Sequence, residues 1–381
     1  MDSALKNISH KVENQIRLTP EDGLALLQTN DIWTLCELAN KVKRRLHGDL
    51  VYYNINRHLN YSNICALSCK FCAFYRKKDQ DGAYEYSVEQ AVQEAKKAEA
   101  AGATEMHIVG GLHPFLPFSY YTDMLSAIRD ATPSLHLKAF TAVEIVHLAR
   151  ISKRPNDLKA VLSDLKNAGL GSLPGGGAEV FDDRVHDEAF KGKIRSDKWI
   201  QVHNDSHELG IMSNATILYG HIESLQDRIH HLCMLREAQD DAINRNLPGR
   251  FQTVIPLPFI PDGSELQHLP GPSGLENLKM LATCRLMLDN FPHVKAFWIM
   301  QTLELSQLAL HAGVDDLDGT VVWYDITHIG GENTHQEIGV TQLRTAAREA
   351  GLIPIERDTL YRRVIRDSAT WHIETTQEAT V

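Results

Sequence analysis

The chain has 381 residues, of which 43% are hydrophobic and 23% charged, which is typical of a globular protein with a large buried core. Its formal net charge of −10 argues against binding to nucleic acid or to anionic membrane surfaces. We see no apolar signal-peptide core and no run of ~18 apolar residues in the sequence, so we expect a cytoplasmic protein without a spanning helix.

The first part of the chain, residues 1–48, predicts a helical layer. Thr19 is a favourable N-cap, and Pro20 suits the first position of a helix. Leucine and isoleucine residues between positions 24 and 38 recur loosely at helical spacing. We expect these helices to pack on the domain that follows.

Residues 49–351 alternate predicted strands with predicted helices. The clearest helix begins with a capping box of Ser87 and Gln90, and Gly102 ends it. Alternating units of this kind indicate a parallel sheet, and eight of them indicate an α/β fold with a (βα)8 barrel of the TIM type. A strand-like tail over residues 352–381 would follow it. The predicted strands are VYYNINRHLNYS, MHIVGG, LHLKAFT, SLPGGG, MSNATIL, FQTVIPLPF, VKAFWIM and DLDGTVV.

Glycine and polar residues are concentrated where these predicted strands end. The active sites of such barrels lie at the carboxyl ends of the strands. We therefore expect the functional site at this face of the barrel. The segments concerned are residues 110–114, 141–144, 174–179 and 219–223.

Three of the six cysteines lie within eight residues, directly after the first predicted strand. Cys65, Cys69 and Cys72 form a CxxxCxxC spacing. In a reducing compartment such a group indicates metal binding rather than disulfides. Three thiolates on one loop can hold three irons of a [4Fe–4S] cluster and leave the fourth iron open to a ligand.

A zinc site is the alternative interpretation of these cysteines, in a barrel hydrolase or in a non-catalytic metal-binding protein. Cys36, Cys233 and Cys284 could supply a fourth ligand. Each of them, however, lies in a helical pattern with apolar neighbours, which favours burial in the core.

Several residues at the strand ends have both a structural and a functional interpretation. Gly110-Gly111 is either a simple turn or a place where backbone approaches a ligand. Glu144 is either a solvated acid at a helix N-terminus or an acceptor for ribose hydroxyls. The glycine run at 175–177 favours a ligand-facing loop, and Glu179 after it could contact ribose or substrate.

The fifth predicted strand adds polar residues that could point into the barrel. Asn214 and Thr216 alternate along it, and Tyr219 and His221 follow its end. Substrate contact and internal hydrogen bonding are both open for this group. Trp298 fits a core aromatic better than a pocket wall.

The cysteine spacing, with Phe71 immediately before the last cysteine, resembles the radical S-adenosylmethionine (SAM) superfamily. In that superfamily SAM chelates the open iron, and one electron from the cluster releases a 5′-deoxyadenosyl radical. The resemblance implies that Cys65, Cys69 and Cys72 are the cluster ligands. It also implies a SAM site formed by Phe71, Phe74, Gly110, Gly111, Thr141, Glu144, Gly176 and Glu179.

From about residue 50 onward, the chain resembles the superfamily's futalosine and deazaflavin synthase family. The segments that carry the likeness are NICALSCKFCAFYR, HIVGGLHPFLPFSYYTDML, LHLKAFTAVEI, SLPGGGAEVFDDRV, NATILYGHIES, HLPGPSGLENLKMLATCRLMLDNFPHVKAFWIM and DDLDGTVV. Around His113, Ala142 and Thr320 the chain is most similar to the aminodeoxyfutalosine synthase branch. The futalosine cyclase branch remains the alternative.

The resemblance to that branch implies a radical addition rather than hydrogen abstraction. The adenosyl radical would add to the vinyl ether of 3-[(1-carboxyvinyl)oxy]benzoate, and rearrangement with decarboxylation would give aminodeoxyfutalosine on the route to menaquinone. An electron donor such as flavodoxin or ferredoxin is implied, and a homodimer remains open. Residues considered for catalysis or for the substrate carboxylates are His113, Asn214, Tyr219 and His221.

The chain departs from the family pattern after its sixth and seventh predicted strands. Ile260 stands where the family usually has histidine, and residues 261–264 replace a Pro-Glu-Asn-Thr run. Residues 300–302 stand where Met-Leu-Gly is common, and a usual Cys-Pro is missing near Phe190. These departures concern the pocket near those strands and lie outside the cluster and SAM motifs.

Overall fold

A computed structural model gives the structure of the protein and describes residues 3–321, 337–367 and 370–375. The helices are α1 (Ser3–Glu13), α2 (Pro20–Gln28), α3 (Ile32–His47), α4 (Val88–Ala100), α5 (Phe118–Ala131), α6 (Ala142–Ile151), α7 (Leu158–Ala168), α8 (Asp183–Ala189), α9 (Ser196–Glu208), α10 (Leu225–Asn244), α11 (Gly274–Met287), α12 (Trp298–Gln301), α13 (Leu303–Ala309) and α14 (Val340–Glu349). The strands are β1 (Leu50–Asn54), β2 (Asn56–Leu59), β3 (Glu105–Ile108), β4 (His136–Ala139), β5 (Ser172–Leu173), β6 (Met212–Tyr219), β7 (Phe251–Pro258), β8 (His293–Val294), β9 (Asp316–Gly319), β10 (Ile353–Glu356), β11 (Val364–Asp367) and β12 (Thr370–Ile373).

Helices α1–α3 form the N-terminal part, and their caps agree with the sequence. Thr19 and Asp22 make a reciprocal capping box at the start of α2, with Pro20 at the first position. Both α2 and α3 pack against α11, and α2 also packs against α10. In the part of the chain that the structure describes, no helix combines the length and apolarity needed to cross a membrane.

Parallel strands form the centre of the molecule. Strands β2 to β8 make one sheet in sequence order, and β1 pairs with β9 in a second sheet. A parallel bridge between Lys295 and Asp316 joins the end of β8 to β9. Because β1 and β2 are separated only by Ile55, the strands follow one another around a barrel, with helices on the outside. The predicted α/β barrel class is confirmed.

The structure corrects the predicted strands in two places. The first predicted strand is interrupted at Ile55 and contributes both β1 and β2. The seventh, VKAFWIM, was wrong in its second half, because the strand ends at Val294 and residues 298–301 form α12. Trp298 is accordingly a core residue, since it is buried and its indole nitrogen donates to the Gly319 carbonyl at 2.8 Å.

The C-terminal part adds strands outside the barrel. Strand β10 runs parallel to β1 on the side opposite β9, and β11 and β12 form an antiparallel pair. The strand-like character predicted from about residue 352 is therefore present. Residues 376–381 of the predicted tail, and Val322 at the end of DLDGTVV, lie outside the described residues.

Candidate active site

The loop after β2, residues 60–76, carries the three clustered cysteines and is named the cysteine loop here. The amide of Cys65 donates to the carbonyl of Arg76 at 3.0 Å, which ties the two ends of the motif together. The ammonium of Lys77 donates to the carbonyls of residues 65, 66 and 67 at 3.0 to 3.3 Å. These bonds hold the backbone that carries the thiols.

The three thiols line one cavity and are suited to binding a metal cluster. Burial raises the pKa of Cys69 to about 12 and also raises the pKa of Cys72. Thiolates at these positions therefore need the positive charge of a metal. The sulfur of Cys65 accepts the amides of Leu67 and Leu112 at 3.4 Å each, the kind of hydrogen bond that tunes iron–sulfur centres.

The glycine pair after β3 lies directly against the cysteine loop. A Cβ atom on Gly110 would lie 2.7 Å from the ring of Tyr61, and one on Gly111 would lie 2.4 Å from the carbonyl oxygen of Ile64. The amide of Gly110 donates to Glu144 at 3.0 Å, and that of Gly111 donates to a loop carbonyl at 2.8 Å. The glycine pair thus supports the cysteine loop, and the amides of both glycines already have protein acceptors.

Glu144 joins the cysteine loop to helix α6. It is 2% exposed, so its interpretation as a solvated acid was wrong. Its Oε1 accepts from the Tyr61 hydroxyl at 2.8 Å and from the Gly110 amide at 3.0 Å. Its Oε2 accepts from the amide and the hydroxyl of Thr141, each at 2.7 Å. Burial raises the pKa of this carboxyl, although these hydrogen bonds act in the opposite direction.

The glycine run after β5 passes between two elements of the barrel. A Cβ on Gly175 would lie 2.6 Å from the backbone of Ala215, and one on Gly177 would lie 2.9 Å from the amide nitrogen of Val143. Gly177 also has a φ of 123°, a conformation that side-chain-bearing residues rarely adopt. Close packing by the chain itself therefore requires glycine here, while the loop still borders the cavity.

Glu179 forms an ion pair with Lys193 next to the cysteine loop. Burial opposes the charge of Lys193, but Glu179 and the thiols of Cys69 and Cys72 outweigh it and raise the pKa of this lysine. The Lys193 ammonium also lies 5.0 Å above the ring of Phe71. A fixed positive charge is thereby held beside the cluster ligands.

A cavity of about 280 Å³ connects these elements at the carboxyl end of the barrel. Most of the predicted site residues line it, and so do Ile260, Asp262 and Met300, which belong to the segments that depart from the family pattern. The predicted residues that line the cavity are Cys65, Cys69, Cys72, Phe71, Phe74, Gly110, Gly111, Thr141, Glu144, Gly176, Glu179 and Asn214.

Three of the four residues considered for catalysis do not line this cavity. His113 is buried, faces Glu85 at 2.7 Å and accepts the amides of residues 115 and 116 on its other ring nitrogen. The Tyr219 hydroxyl donates to Asn277 at 2.7 Å. His221 lies between the Leu218 carbonyl and the side chain of Glu223. Each of them makes structural contacts instead.

A second group of residues inside the barrel lines the same cavity and was missed by the sequence analysis. We name it the barrel floor and define it as His58, His107, Lys138, Lys295 and Asp318. The sequence indicates this group by one lysine in each of two otherwise apolar predicted strand segments. These are LKAF at 137–140 and VKAF at 294–297. Charged residues are rarely buried without a partner or a role, so such lysines merit attention.

The zinc alternative finds little support in the geometry. Cys36, Cys233 and Cys284 lie on helices α3, α10 and α11, and none of them borders the cavity. Among the described residues, three potential ligand atoms within 4.8 Å of one another occur at His47, His293 and Asp315. There the Asp315 carboxylate already pairs with Arg285, whose cation would repel a metal ion.

Three cysteines on the loop after the first strand of a parallel barrel, beside a cavity at the strands' carboxyl ends, define a radical SAM enzyme. Sequence comparison agrees, since the Radical SAM superfamily profile matches residues 59–235 and that of the CofH/MqnC C-terminal region matches residues 249–369. The chain belongs to the radical SAM superfamily, in the family that carries this C-terminal region. Membership implies a [4Fe–4S] cluster and SAM.

Relatives of known activity extend over nearly the whole chain. An aminodeoxyfutalosine synthase of Thermus thermophilus is 42% identical over 95% of this chain and 96% of its own length. An aminodeoxyfutalosine synthase of Streptomyces coelicolor is 42% identical over 95% of this chain and 94% of its own length. A 5-amino-6-(D-ribitylamino)uracil–L-tyrosine 4-hydroxyphenyl transferase of Archaeoglobus fulgidus is 36% identical over 85% and 92%. The predicted likeness to the synthase branch is therefore confirmed.

Solved structures show the same fold at low identity. Methylornithine synthase (PylB) matches with a TM-score of 0.72 and 17% identity, over 91% of this chain and 97% of its own. The hydrogenase maturase HydG of Carboxydothermus hydrogenoformans matches with a TM-score of 0.70 and 18% identity, over 94% of this chain and 80% of its own. Both support the barrel architecture.

Proposed function

We propose that this chain is an aminodeoxyfutalosine synthase of the futalosine route to menaquinone. The observation that carries the proposal is the 42% identity to two such synthases over 95% of the chain. Identity to the hydroxyphenyl transferases is lower, at 32–36%. The substrate would be 3-[(1-carboxyvinyl)oxy]benzoate, and SAM would be consumed with release of methionine.

Cys65, Cys69 and Cys72 would hold the cluster in this enzyme. With SAM bound, the cluster would donate the electron that cleaves SAM to methionine and the adenosyl radical, and this radical would add to the vinyl ether. The chain's own residues would orient the reactants and exclude water and other hydrogen donors. The cavity suits this task, because apolar side chains such as Val109, Leu218, Ile255, Leu257 and Phe297 form much of its wall.

The SAM site would lie between the cysteine loop and the two glycine segments. Phe71, Phe74, Gly110, Gly111, Thr141, Gly176 and Glu179 are the residues we assign to it. Glu144 is better assigned to positioning, because both of its oxygens accept hydrogen bonds from the protein. Asn214, alone among the four catalytic candidates in bordering the cavity, is kept as a substrate contact.

An anaerobic assay tests the proposed function. The reconstituted protein is incubated with SAM, a reductant and 3-[(1-carboxyvinyl)oxy]benzoate, and the products are identified by mass spectrometry. We expect a product that contains both the adenosine and the aryl group, together with methionine. Release of free 5′-deoxyadenosine without any joined product would contradict the proposal and favour the cyclase. A flavodoxin or ferredoxin can replace the chemical reductant in the same assay.

A further inference from the structure

The barrel floor is built as one layer across neighbouring strands. His58 of β2, His107 of β3 and Lys138 of β4 are in register with one another, so their side chains point to the same side of the sheet. Lys295, directly after β8, and Asp318 of β9 complete the layer, because β9 pairs with β1, which leads into β2. TIM-type barrels usually fill such layers with branched aliphatic side chains. Polar residues here therefore call for an explanation.

Two buried ion pairs hold the lysines of the barrel floor. Lys138 pairs with Glu105, and Lys295 donates to Asp318 at 2.7 Å. These four residues are all at most 4% exposed. Replacing such pairs by apolar residues often leaves stability unchanged or raises it, so stability is a weak reason to keep them. An ammonium has three hydrogen-bond donors, and each lysine uses one on its carboxylate partner. Further donors are left for a ligand in the cavity.

The neighbouring imidazoles can add donors but not charge at neutral pH. Burial lowers the pKa of His58 to about 4 and that of His107 well below its ordinary value. The two rings lie side by side, with their centroids 4.5 Å apart. Lys138 and Lys295 are therefore the cations of this layer, although burial lowers the pKa of Lys138 and each lysine is balanced by a carboxylate. Their remaining N–H donors, rather than a net positive charge, are what an anion can use.

The distance from the barrel floor to the cysteine loop suits an elongated ligand. His107 lies three residues before Gly110, and Lys138 lies three residues before Thr141. At ~3.3 Å per residue this places the floor roughly 10 Å below the glycine pair that contacts the cysteine loop. The wall between the two levels includes Val109, Ile255, Leu257 and Phe297. An apolar wall above charged donors matches an aromatic ring that carries a carboxylate.

We propose that Lys138 and Lys295 bind the carboxylate on the aromatic ring of the substrate, and thereby point its vinyl ether toward the cysteine loop. This inference rests on the proposed function. The carboxylate on the alkene then lies at the other end of the cavity, beside the cysteine loop and the SAM site. Since the reacting carbon must lie within contact distance of the adenosyl group, the barrel floor acts as the positioning end of the cavity.

Neutral pair variants test this assignment without leaving a buried charge unpaired. One carries Glu105→Gln with Lys138→Gln, and the other carries Lys295→Gln with Asp318→Asn. The matched control is Glu94→Gln with Lys97→Gln, which neutralises an exposed pair on α4. For each reconstituted protein, calorimetry gives the dissociation constant of the substrate and of 2-phenoxyacrylate, the analogue without the ring carboxylate.

Loss of charged hydrogen bonds should weaken binding of the full substrate about ten- to hundredfold in both floor variants. Binding of 2-phenoxyacrylate should change little, and the control should behave like the wild type. Equal losses for both ligands, or no loss for either, would overturn the assignment. If the proposed function itself is wrong, the wild type forms no joined product, which separates the two failures.

A probe of the wild-type protein keeps the test independent of folding of the variants. The substrate analogue carries a sulfonyl fluoride in place of the ring carboxylate. The paired carboxylate takes one proton from the lysine ammonium, and the free amine attacks the sulfur. The sulfur–fluorine bond breaks as the nitrogen–sulfur bond forms, and fluoride leaves together with the second proton. Peptide mass spectrometry should find the label on Lys138 or Lys295. Labelling of another residue, or of none, would contradict the inference.

Discussion

The Tyr61 hydroxyl donates a 2.8 Å hydrogen bond to Oε1 of Glu144, which links the cysteine loop to the first turn of α6. The same carboxylate also accepts the amide of Gly110 and two donors of Thr141. One buried side chain thus connects three segments that border the cavity.

Substitution of Glu144 should act through this network. Glu144→Gln turns one acceptor oxygen into a donor that faces other donors, and we expect a loss of about 1–3 kcal/mol of folding stability. Tyr61→Phe removes only one donor and should cost about 1 kcal/mol. Thermal unfolding and iron content measure both effects. A stable, cluster-loaded Glu144→Gln protein that no longer cleaves SAM would instead show a direct contact with SAM.

The clustered cysteines should be individually essential. Cys65→Ala, Cys69→Ala and Cys72→Ala should each abolish turnover and lower iron and sulfide from the roughly four of each per chain of an intact cluster. Cys233→Ala, on α10 and outside the cavity, should retain both. Iron analysis and visible absorption after anaerobic reconstitution measure the result. Stoichiometric zinc without iron in the wild type would contradict the cluster assignment.

The charge of Lys193 should tune the cluster. Lys193→Gln leaves the carboxylate of Glu179 unpaired near the thiolates, so the reduction potential should fall by tens of millivolts, equivalent to about 1–2 kcal/mol. Glu179→Gln should shift the potential in the opposite direction. Exposed Lys191→Gln serves as the control. A redox titration followed by electron paramagnetic resonance measures the potentials, and shifts of the same sign in both variants would refute this explanation.

Close packing of Gly111 against the cysteine loop should make it intolerant of a side chain. Gly111→Ala would place a Cβ 2.4 Å from the Ile64 carbonyl oxygen, and displacement of the loop should cost about 1–3 kcal/mol and lower cluster retention. Gly274→Ala is the matched control, because nothing lies within 4 Å of its Cβ position. That variant should be neutral or slightly stabilising. Urea unfolding and iron content compare the two.

His231 should contribute to the loss of stability in acid. Its ring accepts the amide of Phe181 at 3.1 Å and lies 3.0 Å from the carbonyl of Thr216, an arrangement that suits the neutral ring. Burial lowers the pKa of His231 from 6.5 to about 3. As the pH falls, the His231 ring therefore takes up a proton in the unfolded chain at a higher pH than it does in the folded protein. The stability that the neutral ring provides is complete above pH ~6.5 and is lost as the pH falls toward 3.

The corresponding variant is His231→Gln, which keeps one donor and one acceptor. Between pH 4 and 6, the unfolding free energy of this variant should depend less steeply on pH than that of the wild type. The two slopes should differ by about 1.4 kcal/mol per pH unit. The adjacent, exposed His230→Gln should keep the steeper slope. Urea unfolding at several pH values gives these slopes, and identical slopes in the two variants would refute the assignment.

Local patterns in the sequence were sufficient to predict the cysteine loop and most of the strands and helices of the barrel. The CxxxCxxC spacing places three thiols on one loop, and this spacing together with its position directly after the first predicted strand indicates a cluster. Capping residues such as Thr19 and Ser87 act within one turn, so their helices begin where predicted. Such features depend on neighbours a few residues apart, which the sequence displays directly.

The composition of the cavity was decided only by the tertiary structure. His113 and His221 follow the correct strands but make contacts elsewhere, because the turn after a strand determines which way each side chain points. Tyr219 is the last residue of β6, and its hydroxyl bonds to Asn277. The barrel floor brings together residues from four strands and one residue, Lys295, that directly follows β8. Its membership depends on the register of the strands and on which side of the sheet each residue faces. A shift of one residue would turn Lys138 away from the cavity, and no local pattern in the sequence specifies that register.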